Sequence, residues 1–409
     1  MTEKVHITLD DGSMVETTMH PVIVSASRAT DIPAFYADWF FYRLQKGYSA
    51  WINPFNNKKG YVSYQDTRFI VFWSKNPKPL LEHLDELSYP ATNLAPLSRE
   101  LTYPATNVAP LSRGDEGIGC YIQYTLNDYE ADGLEKKVPP LQERIDTFKR
   151  LVDRLGKERV IWRFDPLVLT EPGVRAAITT DVLLDKIERI GDQLKGYTEK
   201  LVFSFADIAS YRKVKHNLKE SNINYIEWDE PNMVDFAKRL VELNKKWGFT
   251  LATCGEKIDL PGVVHNSCID HDLIIRLAHR DKALMDYLGV TIVPVQRDMF
   301  GNEEVAYPGL TATPLKGATY PGLTATPLKR GQEGVILLDD GTVAIQKKKM
   351  PDKGQRAACG CMVSKDIGQY NTCPHQCEYC YANASKELAT ENWHRHRHDP
   401  HSELIVPVL

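Results

Sequence analysis

The sequence has no apolar run approaching the ~20 residues that a membrane-spanning helix needs. Its start, Met1-Thr-Glu-Lys-Val5, has neither the basic opening nor the apolar stretch of a secretion signal. Both absences point to a cytoplasmic protein with no membrane partner. A charge excess is missing too: 50 Lys and Arg against 54 Asp and Glu leave a net charge of −4. That gives no overall attraction for nucleic acid, although a local basic groove stays open. Cysteine is scarce, eight in 409 residues, and cytoplasmic cysteines serve more often as metal ligands or catalysts than as disulfides. What remains, 43% hydrophobic and 25% charged residues, is the balance of a folded globular chain. Its length suits one large barrel with extras or two ordinary domains.

Residues 1–20 read as a hairpin extension turning at Asp11-Gly12. From 21 to 292, short apolar runs alternate with helical patterns. Strands are expected at 22–27, 48–53, 69–73, 120–125, 160–164, 201–205, 250–253 and, weakly, 263–265. Helices are expected at 33–46, 78–87, 141–155, 181–194, 232–247 and 270–279. Such alternation implies parallel β-α-β units, and eight strands in this length fit a (β/α)8 TIM-like barrel. An open doubly wound parallel sheet is the alternative, because the pattern does not show closure.

Two segments interrupt the rhythm. An insert at 88–117 carries Tyr89-Pro-Ala-Thr-Asn-Leu-Ala-Pro-Leu-Ser and repeats it almost unchanged from Tyr103. A second, within 293–350, repeats Tyr307-Pro-Gly-Leu-Thr-Ala-Thr-Pro-Leu-Lys from Tyr320. With two copies each, rich in Pro and Thr, they read as tandem duplications in surface loops and not as solenoid units. A hairpin turning at Asp340-Gly341 follows, and 351–409 form a cysteine-rich segment and tail ending in His394-Arg-His-Arg-His398.

In a barrel, functional residues gather at the C-terminal ends of strands. Here those positions are polar: Ser27, Arg28 and Asp31 after the first strand, Lys75 and Asn76 after the third, Gln123 in the fourth. Arg163 and Asp165 end the fifth, Asp207 follows the sixth, and Glu256 follows the seventh. Arg28, Lys75 and Arg163 suit carboxylate or phosphate groups, while Asp165 and Glu256 suit a ribose or an ammonium. Ser27, Asp31, Asn76, Gln123 and Asp207 complete the expected cofactor-binding rim.

The cysteines sort into groups. Cys120 stands alone, and five of the eight fall between Cys359 and Cys380. Cys373, Cys377 and Cys380, spaced x3 and x2, can converge on three corners of an iron–sulfur cluster and leave one iron open. Cys254, Cys268, Cys359 and Cys361 offer four more thiolates for a second site, either a [4Fe–4S] cluster or tetrahedral zinc.

The run Cys373-Pro-His-Gln-Cys377-Glu-Tyr-Cys380 resembles the Cys-x3-Cys-x2-Cys signature of radical S-adenosylmethionine (SAM) enzymes. That resemblance implies a cluster whose open iron holds the amino and carboxylate groups of SAM and whose electron splits the sulfonium. It also implies an electron donor such as ferredoxin or flavodoxin. The motif stands late in the chain, and no Gly-Gly-Glu segment accompanies it. Cys377-Glu-Tyr-Cys380-Tyr381 is also similar to the cluster loop of spore photoproduct lyases, which repair DNA. More broadly, Ser25-Ala-Ser-Arg-Ala-Thr-Asp-Ile-Pro-Ala-Phe35, Val71-Phe-Trp-Ser-Lys-Asn-Pro77, Val160-Ile-Trp-Arg-Phe-Asp-Pro166 and the Cys359–Cys380 region resemble the bacterial domain-of-unknown-function family 1848. The expectation is an iron–sulfur enzyme that cleaves SAM to act on an unnamed substrate. A non-catalytic electron-transfer module and a zinc-stabilised barrel hydrolase or lyase remain the competing classes.

Overall fold

The computed structural model describes residues 3–87, 117–173, 176–297, 303–305, 334–346, 349–355 and 358–407. The reading of the two tandem repeats as surface loops falls outside those residues. Eight strands form one parallel sheet: β1 Ile23–Ala26, β2 Phe69–Ser74, β3 Gly119–Thr125, β4 Val160–Leu167, β5 Lys200–Phe205, β6 Thr250–Thr253, β7 Val264–His265 and β8 Lys365–Asp366. Their order is β7-β6-β5-β4-β3-β2-β1-β8. Each strand from β1 to β7 pairs with the next in sequence, and β8 joins from the far end of the chain, setting Lys365 against Val24.

The fold is mixed α/β with one large parallel sheet of eight strands, in which no strand pairing joins β7 to β8 among the described residues. One expectation needs correction. The run from Tyr48 is a strand, Tyr48–Ile52, but it pairs antiparallel with Lys59–Ser63 outside the main sheet. Its partner follows after a short turn, and a parallel neighbour would require a longer crossover. Phe69–Ser74 pairs directly with Ile23–Ala26 where this strand was expected, and the two-residue β8 supplies the eighth strand on the other side of Ile23–Ala26.

Side-chain alternation gives the sheet two apolar faces. Ile23, Val71, Tyr121, Ile161, Val202 and Ala252 share one core, and Val24, Phe72, Ile122, Trp162, Phe203 and Leu251 share the other with the helices. Fully burying each such large side chain contributes about 1.5–3 kcal/mol. Gly119 opens β3 because a Cβ there would stand 2.6 Å from the buried Phe69 ring.

The helices are α1 Ala37–Lys46, α2 Leu141–Leu155, α3 Thr180–Leu194, α4 Arg212–Glu220, α5 Glu230–Asn244, α6 His271–Ala278, α7 Lys282–Leu288 and α8 Lys386–His398. In α2 the spacing of Ile145, Phe148 and Leu151 buries one stripe. Side-chain caps start others: Thr179 accepts from Val182 N–H, Asp229 from Asn232 N–H and Ser385 from Leu388 N–H. The helix expected from Pro33 is split at Tyr36, whose hydroxyl donates to Thr372 O. The segment from Lys78 makes only two 3-10 turns, Pro79–Glu82 and Leu84–Leu87. Among the described residues, no helix is long and apolar enough to cross a membrane.

The two ends of the sheet are treated differently. At the N-terminal end, Arg68 forks onto Asp281 with two 2.8 Å hydrogen bonds, and Arg159 donates to Leu277 O at 2.8 Å. An antiparallel sheet, ordered Glu303–Val305, Val290–Arg297, Thr342–Gln346 and Gly334–Leu337, contributes Val290 and Ala344 to the core that holds Ile23 and Phe69. The C-terminal segment instead packs against the opposite rim.

Candidate functional site

The site grows from the C-terminal strand ends. After β1 the chain turns at once, and Ser27 Oγ accepts from Ala29 N–H at 2.9 Å and Thr30 N–H at 3.3 Å. Ser27 is therefore a turn cap. Gly368 passes so close that a Cβ there would lie 1.8 Å from Ser27 Oγ, so only glycine fits. Asp31 caps the short helix Ile32–Phe35 by accepting from Ala34 N–H at 3.0 Å. It also accepts from Ser74 Oγ and Lys75 N–H, both at 2.7 Å, and faces His375 Nε2 at 2.8 Å.

Four donors use the roughly four lone-pair positions of a carboxylate. Asp31, expected at the cofactor-binding rim, ties the cysteine loop to β1 and β2 through His375. Asn76 follows, with its backbone N–H on Ser74 Oγ at 2.9 Å.

Lys75 leads into a buried network. Its Nζ donates to Glu135 Oε1 at 2.7 Å and to Tyr379 OH at 2.9 Å. Asn127 Nδ2 donates to the same Glu135 oxygen at 3.0 Å, and the Tyr379 hydroxyl donates to it as well. Glu135 is bridged to Cys377 through its backbone. Burial would raise the Glu135 carboxyl, but the charges of Lys75 and Arg144 outweigh it and hold the group down at about 2.

Arg163 and Asp165 leave β4 as a pair, with Arg163 Nη2 2.5 Å from Asp165 Oδ2. Ser204 of β5 donates to the other Asp165 oxygen. Arg163 Nη1 reaches Gln123 Oε1 and Cys268 Sγ, each at 3.2 Å. Gln123 Nε2 and Tyr121 OH both donate to Cys268 O, at 3.0 and 2.6 Å. Arg28 donates its backbone N–H to Asp366 Oδ2 at 2.8 Å, and its guanidinium feels the Cys361 and Cys268 thiols. Glu256 lies half-buried beyond β6, beside Cys254 in the chain. Asp207, two residues past β5, is exposed and accepts from Ser210 N–H at 3.3 Å, as a turn cap does.

The three cations read as anion-binding groups are thus each engaged by a carboxylate of the chain: Lys75 by Glu135, Arg163 by Asp165, Arg28 by Asp366. Of the groups around them, His375 and Tyr379 lie inside the cysteine motif, but their partners Asp31, Lys75 and Glu135 were not legible from it. Glu135 and Asn127 carry no periodic or spacing signal, and only the folded chain brings them in.

Cys373, Cys377 and Cys380 stand in the loop between β8 and α8, against residues that follow β1, β2 and β3. Burial pushes the Cys373 thiol well up, and the charges of Asp31, Cys380 and Cys377 push it further. Burial also raises Cys377, with Lys75 opposing. Among the described residues, no three His, Cys, Asp or Glu side chains stand in the arrangement of a single metal ion's ligands. The terminal histidine run lies in α8, with His396 buried and its Nδ1 2.8 Å from Ile405 O.

The family model described as Domain of unknown function (DUF1848) matches residues 23–95, 102–294 and 336–382, most of the chain. The chain belongs to that family. Its matched region contains all eight cysteines, and the unmatched stretch 295–335 contains the second repeat. No curated protein matches the chain.

Proposed function

We propose that this member of the DUF1848 family is a radical-SAM-type iron–sulfur enzyme, with Cys373, Cys377 and Cys380 holding a [4Fe–4S] cluster. The observation that carries the reading is the gathering of three thiols from one loop, within electrostatic reach of one another, at the C-terminal rim of a parallel sheet. Cys373 and Cys377, both raised by burial and by the neighbouring thiols, belong to a donor set that a cationic centre would bring to the thiolate state.

The strand order supports the same reading. The motif comes late in sequence, yet β8 lies beside β1, so its loop and α8 occupy the place of an opening strand–loop–helix unit. When bound, the cluster would supply the electron that cleaves SAM to methionine and a 5′-deoxyadenosyl radical, which takes hydrogen from a substrate.

The chain's own share is orientation, charge and exclusion of water. Asp31 and His375 set the loop, while Lys75 brings a positive charge beside Cys377, anchored by Glu135 and Tyr379. Asp165 and Ser204 offer polar atoms at the mouth. A barrel-like enclosure is supported by the bond from Met362 N–H to Ile269 O at 3.1 Å, which spans the gap between the chain after β7 and the chain before β8.

The test is anaerobic purification with iron and sulfide analysis, then addition of dithionite and SAM. About four irons that depend on these three cysteines, with 5′-deoxyadenosine released, are expected. A colourless protein without iron would overturn the proposal. Iron without SAM cleavage would overturn the enzyme reading and leave an electron-transfer protein.

A further inference from the structure

The other four cysteines come from three separate parts of the chain. Cys254 follows β6, Cys268 follows β7, and Cys359 and Cys361 precede β8. They nevertheless converge on one place. Cys254 Sγ lies 3.2 Å from Cys268 Sγ, the Cys268 backbone N–H donates to Cys361 Sγ at 3.1 Å, and Cys359 stands two residues from Cys361 in the chain.

The surroundings are built for thiolates. Cys268 Sγ accepts from Arg163 Nη1 at 3.2 Å and from Asn266 Nδ2 at 3.5 Å. Cys361 Sγ accepts two backbone N–H groups, those of Cys268 at 3.1 Å and Ile269 at 3.4 Å. Hydrogen bonds of this kind orient and stabilise metal-bound thiolates. Arg163 is nearly fully buried, and its Nε has no partner among the described residues. Arg28 adds the charge of a second guanidinium, which Cys361 and Cys268 influence electrostatically.

From this convergence we propose that Cys254, Cys268, Cys359 and Cys361 form a second, all-thiolate metal centre that staples the open seam of the sheet between β7 and β8. Zinc and a [4Fe–4S] cluster share this donor set. All eight strands then sit in one frame, because a thiophilic centre reinforces a seam that no strand pairing joins among the described residues. The centre does not depend on a cluster at Cys373, Cys377 and Cys380. It accounts for cysteines outside the three-thiol loop, and for the Arg163 and Gln123 side chains turned toward Cys268.

The decisive comparison uses the full chain, purified anaerobically without chelator, with iron, sulfide and zinc measured. The triple variant Cys373→Ala/Cys377→Ala/Cys380→Ala should keep either about one zinc or about four irons with four sulfides. Adding Cys359→Ala/Cys361→Ala should remove that remainder. A triple variant without metal, or metal that survives the added pair, would overturn the proposal. Metal lost with the pair but unaffected by the triple variant would sink the cluster at Cys373 and leave this centre standing.

Thiol alkylation of the unmutated protein avoids any folding defect of the variants. Cys254 and Cys359 are only half-buried, yet they should be protected until a chelator is added, and then react together with Cys268 and Cys361. Free labelling of Cys254 and Cys359 before chelation would refute the centre, as would a Cys254–Cys268 disulfide.

Discussion

His375 Nε2 and Asp31 Oδ2 meet at 2.8 Å across 344 residues of sequence, in a buried contact that joins the turn after β1 to the middle of the cysteine loop. Asp31 also serves Ser74, Lys75 and Ala34. Replacing it therefore leaves several buried donors without an acceptor. Asp31→Ala is expected to cost about 3 kcal/mol of stability and to lower the iron content of the purified protein. Thermal melting and iron analysis on the same preparation check both; a variant that melts and loads iron like the parent would show that the contact does not set the loop.

Glu135 supplies an acid-side signature. Its folded carboxyl titrates at about 2, below the ordinary value of 4.5, because Lys75 and Arg144 outweigh the burial that opposes ionisation. A depressed carboxyl contributes stability that is present above about pH 4.5 and is lost as the pH falls toward 2. The contribution is about 3 kcal/mol, at about 1.4 kcal/mol per pH unit. Urea unfolding from pH 6 down to 3 should show this loss in the parent. Glu135→Gln should be less stable at neutral pH and follow a flatter acid slope; parallel slopes would exclude the assignment.

His83 supplies the alkaline limb. Its ring stands between Glu86 Oε1 at 2.6 Å and Asp38 Oδ1 at 2.9 Å. Burial alone would lower its pKa, but the two carboxylates raise it to about 9. A raised folded pKa gives stability that is complete below the unfolded value near 6.5 and lost as the pH rises through 9. Asp38 is largely exposed, so screening reduces the effect to about 1 kcal/mol. Urea midpoints should fall between pH 7 and 10 in the parent and hold nearly level in His83→Gln.

Gly119 tests the sheet itself. A Cβ at this position would stand 2.6 Å from the Phe69 ring, which is fully buried against the N-terminal end of the sheet. Gly119→Ala is expected to destabilise the fold by about 1–3 kcal/mol through overpacking. Relief on combining it with Phe69→Leu, read by denaturant midpoint, would identify the ring as the cause. No relief would place the strain elsewhere.

The parallel strands and their helices were legible because each run carries its own signal. Ile145, Phe148 and Leu151 mark α2 by helical spacing, and Phe69–Ser74 and Val160–Leu167 are strand-forming runs bounded by polar turns. The Cys373–Cys380 motif was legible for the same reason, since its spacing is local. Tyr48–Ile52 misled because a strand's sequence does not name its partner, and Lys59–Ser63 was the nearer one.

By itself the sequence determined the longer strands and helices, such as Phe69–Ser74 and Leu141–Leu155, and which cysteines share a loop, since those properties depend on neighbours a few residues apart. Only the tertiary structure decided that the two-residue β8 completes the sheet beside β1, that Glu135 faces Lys75 and Tyr379, and that Cys268 meets both Cys254 and Cys361. Those contacts join residues tens to hundreds of positions apart. Their free energy comes from burying and pairing groups that no local pattern links.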